Sequence, residues 1–443
     1  MDASSRWKGF PTFGVAWHLG EEEFIKRLGF ISLIKIRYSW GQSGNAPSGT
    51  SPYIGTFEAV TPGYGDMNAV KPASPDLTHL KYETITSNNI GVDFGLFSDK
   101  VNFTFELYKK VTDDLLQKKM KVPSSTGLST VAWYNSGKIQ NKGWEFNIDI
   151  AAVKTKDWSF NFGFNISQNK NEILELPENK NDELYTFGNK NYAYSVMMGD
   201  PLGSFYGYRY KGVYQNVEET YAVNTSGQRI LDIDGNPVVM KNGDQKVYPG
   251  DARYEDVNGD GVIDENDIVY LGNSNPTLTG GLNFTLRYKK VSLVAAFHGR
   301  AGQKVINQAR MDMENMRGKN NQSVAVLRRW RSEGDDTDIP RALYDKGYNY
   351  LGSDRFVEDA SFLRLKTVTL KYQMPAKWMK AIGVNKLELY ATGYDMFVWT
   401  KYKGQDPEVN LKAANDGTVA QVAIDSNNTP KPFKIAFGLN LNF

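Results

Sequence analysis

Twelve consecutive residues near the middle of the chain have the types and spacing of a cation loop: Asp256-Val257-Asn258-Gly259-Asp260-Gly261-Val262-Ile263-Asp264-Glu265-Asn266-Asp267. Calcium takes about six to eight oxygen ligands, and twelve-residue loops supply them from positions one, three, five, seven, nine and twelve. Those positions are Asp256, Asn258, Asp260, the Val262 carbonyl, Asp264 (acting through a water) and Asp267. Gly261 stands where such a loop turns sharply, and Ile263 is expected to point inward and tie the loop to its support. Position twelve is Asp, a shorter arm than the bidentate Glu of an EF-hand, which weakens binding. The competing reading is a solvated Asn/Gly/Asp turn. Neither implies a reaction, because carboxylates at this regular spacing share one cation better than they flank a glycosidic bond.

Other chemistry is sparse. His18, His79 and His298 are scattered, which gives little support to a histidine triad or a zinc site. Cysteine is absent, which excludes a disulfide framework and thiolate-ligated metals. Lys plus Arg is 52 and Asp plus Glu is 50, a net charge of +2. That balance argues against a nucleic-acid surface. No apolar run approaches the roughly 20 residues of a spanning helix, and the start, Met1-Asp2-Ala3-Ser4-Ser5-Arg6, has no apolar signal core.

The elements that must carry these residues show a period of two. Trp158, Phe160, Phe162, Phe164 and Ile166 alternate with Ser159, Asn161, Gly163 and Asn165, and Trp144, Phe146, Ile148 and Ile150 alternate with Glu145, Asn147 and Asp149. Strands are predicted near 12–19, 31–40, 83–97, 100–111, 143–153, 158–168, 279–288, 291–299, 362–374, 386–394 and 434–443, with a bulge in 362–372. Short or modest links (20–30, 98–99, 154–157, 289–290, 375–385) alternate with long ones (41–82, 112–142, 169–278, 300–361, 395–433). This is the pattern of an all-β, antiparallel, up-and-down transmembrane barrel with short periplasmic turns and long extracellular loops. Several runs reach about ten residues, the transmembrane length, where strands of a soluble sandwich or propeller average about five or six. The last strand, Ile435 to Phe443, alternates apolar and small or amide residues and ends on an aromatic. It is expected to run inward and place the C-terminus in the periplasm. Trp7, Trp17, Trp133, Trp144, Trp158 and Trp399 are candidates for interfacial girdles. Tyr206, Tyr208, Tyr210 and Tyr214 fit loop packing or, as the rarer role, stacking on a sugar or a partner.

Several segments resemble the C-terminal region of the SusC/RagA-like TonB-dependent transporters. They are Asn135-Ser136-Gly137 with Asn141-Lys142-Gly143-Trp144-Glu145; Gly199 to Tyr208; Gly250 to Tyr254; Leu271-Gly272-Asn273-Ser274-Asn275-Pro276; Glu358 to Leu365; and Trp399 to Val409, in which Gln405 stands where an aromatic is expected. The resemblance covers essentially the whole chain. It implies about half of a barrel of about 22 strands, a fragment in which the plug, the TonB-contacting segment and the early strands have no counterpart, and residues 256–267 as an EF-hand- or dockerin-like loop within the extracellular 169–278 segment. It further implies outer-membrane uptake of an oligosaccharide or peptide, with a SusD-like surface lipoprotein as lid, the TonB complex as energy source and outer-membrane lipid around the wall. Lumen-facing Glu145, Asp149, Asn161 and Asn165 would line the path. An open half-barrel exposes two strand edges to lipid, so this piece alone is not expected to fold stably. A secreted calcium-binding, glycan-binding β-module and a β-rich glycoside hydrolase are the alternatives, the second lacking a convincing carboxylate pair.

Overall fold

The computed structural model describes residues 7–48, 53–61, 63, 65, 67–128, 130–176, 185–186, 192–194, 196–381, 383–413 and 421–442. Eleven strands form one sheet and are numbered here in chain order: β1 (Thr12–Trp17), β2 (Ile31–Asn45), β3 (Glu83–Leu96), β4 (Val101–Asp113), β5 (Lys138–Lys154), β6 (Trp158–Glu175), β7 (Leu278–Tyr288), β8 (Val291–Ala301), β9 (Phe362–Gln373), β10 (Lys386–Thr400) and β11 (Lys434–Asn442). Each pairs antiparallel with its sequence neighbour, so strand order in the sheet equals strand order in the chain. All eleven predicted strands are present, and most of those bordering long links extend further into them than the alternation suggested. Phe443 lies outside the described residues.

Continuous register turns the period of two into two chemically distinct faces. One row on the apolar face runs Phe94, Phe103, Ile148, Phe164, Leu282 and Phe297 from β3 to β8. The Phe94 and Phe103 rings stack with centroids 4.6 Å apart, and Trp158 meets Tyr288 at 4.3 Å. These side chains pack sideways on one another but are not covered by other protein: Phe437 on β11 is 82% exposed and Leu370 on β9 is 54% exposed. Trp17, Trp144, Trp158 and Trp399 belong to this face. Trp133 does not, because it sits on a short hairpin beyond the wall with the Lys118 ammonium 4.6 Å from its ring. Trp7 precedes β1.

Tight turns fall where the links are short. Phe97, Ser98 and Asp99 all take positive φ between β3 and β4, and Lys289 does so between β7 and β8. The bulge expected near 362–372 is present, as a register shift between Leu365 and Thr367 against β10. A matching shift lies between Ala296 and Phe297 of β8.

The buried core lies in the long links. Tyr192, Phe205, Ile306, Met311, Phe356 and Val422 form one cluster. A second holds Tyr208, Tyr214, Met240, Val247, Tyr254, Ile263 and Leu351. Segments more than 200 residues apart in sequence therefore converge on the side of the sheet opposite the short turns.

Candidate functional site

The second face of the sheet is polar. Arg37 on β2 donates to Asp93 on β3 at 3.0 Å and also pairs with Glu106 on β4. Gly91 makes room for it: a Cβ there would lie 2.8 Å from the guanidinium carbon. Glu145, Asp149, Asn161 and Asn165, the residues expected to face inward, are all exposed on this face. Asp149 stands opposite Gly163 and Asn102, and accepts a hydrogen bond from Asn147 at 3.0 Å. Glu145 stands directly opposite Glu106. Like charges in that position repel, and the Arg37 guanidinium compensates one of them.

At the loop end of this face the wall opens into a cleft of about 750 Å³. Three separated segments supply its polar lining. From β5 and β6 come Asn141, Ser167, Asn169 and Asn171; from the Gly199–Gly203 turn comes Asp200; from the run leading into β7 come Tyr270, Asn273, Asn275, Thr277 and Thr279. Their polar atoms are ordered by one another. Asn169 and Asn171 both donate to the Asn141 side-chain oxygen, at 3.2 and 3.0 Å. Asn169 in turn accepts from the Tyr108 hydroxyl at 3.0 Å. Asn171 accepts from the Leu202 amide at 2.8 Å, and Asn275 donates to the Leu202 carbonyl at 2.6 Å. The Ser167 and Thr279 hydroxyls meet at 2.8 Å. Gly143 is required here by close approach, since a Cβ would fall 1.9 Å from the Gln168 carbonyl oxygen and 2.7 Å from the Tyr108 hydroxyl. Fixed amides and hydroxyls with an aromatic edge offer alternating donors and acceptors to a neutral polar oligomer. Of the two charged residues bordering it, Lys170 alternates with Asn169 and Asn171 to the outer face, which leaves Asp200 as the charged side chain turned toward the cleft.

The acidic loop lies apart from the cleft, at the edge of the second loop core. Ile263 is 2% exposed within that core, as expected of the inward anchor, and Gly261 turns with φ +84°. The carboxylates bind the loop's own backbone. Asp256 accepts from the Gly259 and Gly261 amides, both at 2.8 Å, and Asp267 accepts from Val257 at 2.7 Å and Asp264 at 2.9 Å. Asn258 and Asp260 accept from the amides two residues on, at 3.1 and 2.8 Å, and Asp264 accepts from Asn266 at 2.8 Å. Val262 lies on a two-residue strand beside Lys241. Asp267 is fully buried; burial pushes its carboxyl above the usual carboxylate range, against the pull of the Asp264 and Val257 amides. Among the described residues, no group of three or more His, Asp or Glu converges closely enough to hold a metal ion.

A buried charge network fastens the last long link to the wall. Arg364 on β9 is 2% exposed. It binds Asp406 at 2.5 Å and Glu408 at 3.1 Å, while Lys366 and Lys431 reach Glu408 at 3.1 and 2.6 Å. Burial alone would raise the Glu408 carboxyl, but the hydrogen bonds and charges of Lys431 and Lys366 outweigh it and hold the group at about 2.

Comparison with known proteins decides what kind of wall this is. Residues 2–288, more than half of the chain, match the family described as TonB dependent receptor-like, beta-barrel. The chain belongs to the TonB-dependent receptor barrel family. It is 31% identical to TonB-dependent receptor P26 of Formosa agariphila over 99% of its own length and 43% of that protein's. It is 27% identical to TonB-dependent receptor SusC of Bacteroides thetaiotaomicron, over 99% of its own length and 40% of that protein's. The chain thus spans under half the length of these relatives. The fold matches the RagAB peptide transporter with a TM-score of 0.76 at 22% identity, covering 100% of this chain and 44% of that one. As a TonB-dependent barrel wall, the sheet turns its apolar face to outer-membrane lipid and its polar face to the lumen. This membership supports the barrel-wall reading over the soluble-module and hydrolase alternatives.

The four tyrosines take the commoner of the two roles weighed for them, loop packing: Tyr206, Tyr208 and Tyr214 are buried at 3%, 8% and 2% exposure, and Tyr210 packs on Tyr254. Sequence reasoning missed the cleft as a unit. Its signal was present in two asparagine-rich runs, Ser167 to Asn171 and Asn273 to Pro276, but their meeting depends on the return of a link of about a hundred residues.

Proposed function

We propose that this chain is the C-terminal part of the wall of an outer-membrane uptake channel, and that its cleft contacts an oligosaccharide or a peptide on the way to the lumen. The observation carrying this reading is the hydrogen-bonded set of Asn141, Asn169, Asn171 and Asn275 at the loop end of the lumen face. It is nearly free of charge and suits chains that present hydroxyls or amides. RagAB, whose fold the chain shares, is a peptide transporter, which supports the same class of cargo. In this reading the long loops face outward and seat a SusD-like lipoprotein. The short turns face the periplasm, together with Asn442, and the TonB complex acts through a plug outside this chain. Uptake of labelled glycans and peptides by cells carrying the full receptor tests it. Asn169→Leu with Thr279→Val should lower apparent affinity about tenfold or more, each lost hydrogen bond being worth about 1 kcal/mol. Unchanged uptake at wild-type abundance would remove the cleft from the path.

We assign the acidic loop to calcium on the same footing. Its support is the ligand spacing and the buried Asp267, whose charge a cation would offset. Calorimetric titration with calcium alone should show one site, lost in Asp256→Asn/Asp267→Asn; no heat from the unsubstituted protein would leave the loop a self-bonded turn.

A further inference from the structure

Three lysines stand side by side on the outer, lipid-facing side of the wall. Register places Lys109 of β4 opposite Lys142 of β5, and Lys142 opposite Lys170 of β6. Neighbouring strands lie about 4.8 Å apart, so the row presents its ammonium groups along about 10 Å of surface. All three side chains are exposed. One carboxylate answers them, Glu172, at 3.8 Å from both Lys142 and Lys170.

Their height in the membrane follows from their neighbours. One step toward the short turns, the outward row is Tyr38, Ile90, Leu107, Trp144 and Gln168. There the Tyr38 hydroxyl donates to Asn88 at 3.2 Å and the Trp144 indole donates to Gln168 at 2.7 Å. Aromatic side chains with satisfied polar tips mark the edge of the hydrocarbon. Trp158, at the opposite end of β6, lies ten residues from Gln168. At about 3.3 Å per residue and a tilt of about 45°, this is about 23 Å of membrane height, close to the roughly 25 Å apolar band of such barrels. The lysines therefore sit just above the hydrocarbon on the loop side. Below them the surface is hollowed into a depression of about 500 Å³. Ile90 and Leu107 floor it at 47% and 45% exposure.

We propose that this hollow binds a phosphorylated glycolipid of the outer leaflet, with its phosphates on Lys109, Lys142 and Lys170 and an acyl chain over Ile90, Leu107 and the Trp144 ring. A row of mobile ammonium groups suits phosphate oxygens, and the apolar hollow beneath excludes a soluble anion as the better occupant. No substrate path is involved, because these side chains point away from the lumen.

The inference rests on the wall being membrane-embedded with its long loops outward. The full receptor extracted from outer membranes into mild detergent tests it by native mass spectrometry, using added bisphosphorylated glycolipid and its dephosphorylated form. The phosphorylated lipid should remain bound and the dephosphorylated form should bind about tenfold more weakly or worse. K109Q/K142Q/K170Q should lose that preference, E172Q should strengthen retention, and the lumen-facing K35Q should leave it unchanged. Equal retention of both lipids, or a triple variant that binds like the unsubstituted protein, would overturn the site. Recovery of the receptor in the aqueous fraction without detergent would instead overturn the membrane wall itself.

Discussion

The wall and the loop body obey opposite rules of burial. In the wall, large apolar side chains such as Phe437, Leu370 and Ile435 stand more than half exposed, and order comes from a ladder between sequence neighbours. In the loop body, Phe205, Tyr192, Ile306 and Phe356 are at or near complete burial, and the segments that pack together are distant in sequence. The difference teaches that hydrophobicity here has two partners. Lipid covers one set of apolar residues, and protein covers the other. A substitution should therefore act according to region rather than to residue type.

The largest expected contrast comes from truncation. Phe205→Ala opens a cavity in a closed core and should cost the loop body about 3–5 kcal/mol, whereas Phe437→Ala on the lipid face should cost far less. Chemical denaturation followed by protease sensitivity of the loops measures both. Next is charge insertion: Phe162→Arg at mid-height on the apolar face should cost about 2–4 kcal/mol. Asn161→Arg, one residue away on the polar face, should cost little, as read by the heat-modifiable band on gels. If the two arginines behave alike, the two-faced wall is wrong.

Acid should separate the regions more gently. The Glu408 carboxyl is held at about 2, below its ordinary 4.5. A carboxylate whose folded value is depressed stabilises the structure fully above its unfolded value, and that support is lost as pH falls from about 4.5 to about 2. Docking of the segments that carry Asp406, Glu408 and Lys431 on β9 should weaken in that window while the wall persists. Glu408→Gln should remove the pH step, and limited proteolysis across the range reads it. The smallest effect is expected at the exposed Lys138–Asp113 pair, 2.6 Å apart, where Lys138→Gln should change stability by about 1 kcal/mol or less.

How much was legible follows from the same contrast. The wall could be read from sequence because its covering, lipid on one side and water on the other, leaves a period of two in each strand, as in Trp158 to Ile166. Even the bulge near Leu365 left a mark, a break in the alternation. The loop body has no such period. That Tyr206, Tyr208 and Tyr214 pack in the loops is the commoner expectation, but which partners they meet, and that Trp133 would leave the wall for a separate hairpin, depends on long-range packing that composition does not encode. The cleft sits between these cases. Asn169 and Asn171 follow the wall's alternation, but Asp200 and Asn275 reach them only through the fold of the long link. The Gly143 motif spans both faces: Asn141 and Glu145 point inward, while Lys142 and Trp144 point to lipid.

The central claim is that the eleven-stranded sheet separates lipid from lumen, and the absence of cysteine from these 443 residues allows a direct test once any cysteine elsewhere in the receptor is replaced. Single cysteines placed in turn from Ser159 to Ser167 along β6, except at Gly163 where a Cβ would crowd Asn283 and Asp149, in the full receptor in outer membranes, would be challenged with a water-soluble maleimide and with a lipid-resident quencher of an attached fluorophore. The account predicts strict alternation, with positions 159, 161, 165 and 167 labelled from water and 160, 162, 164 and 166 quenched from lipid. Uniform labelling from water, or alternation of the opposite phase, would contradict it.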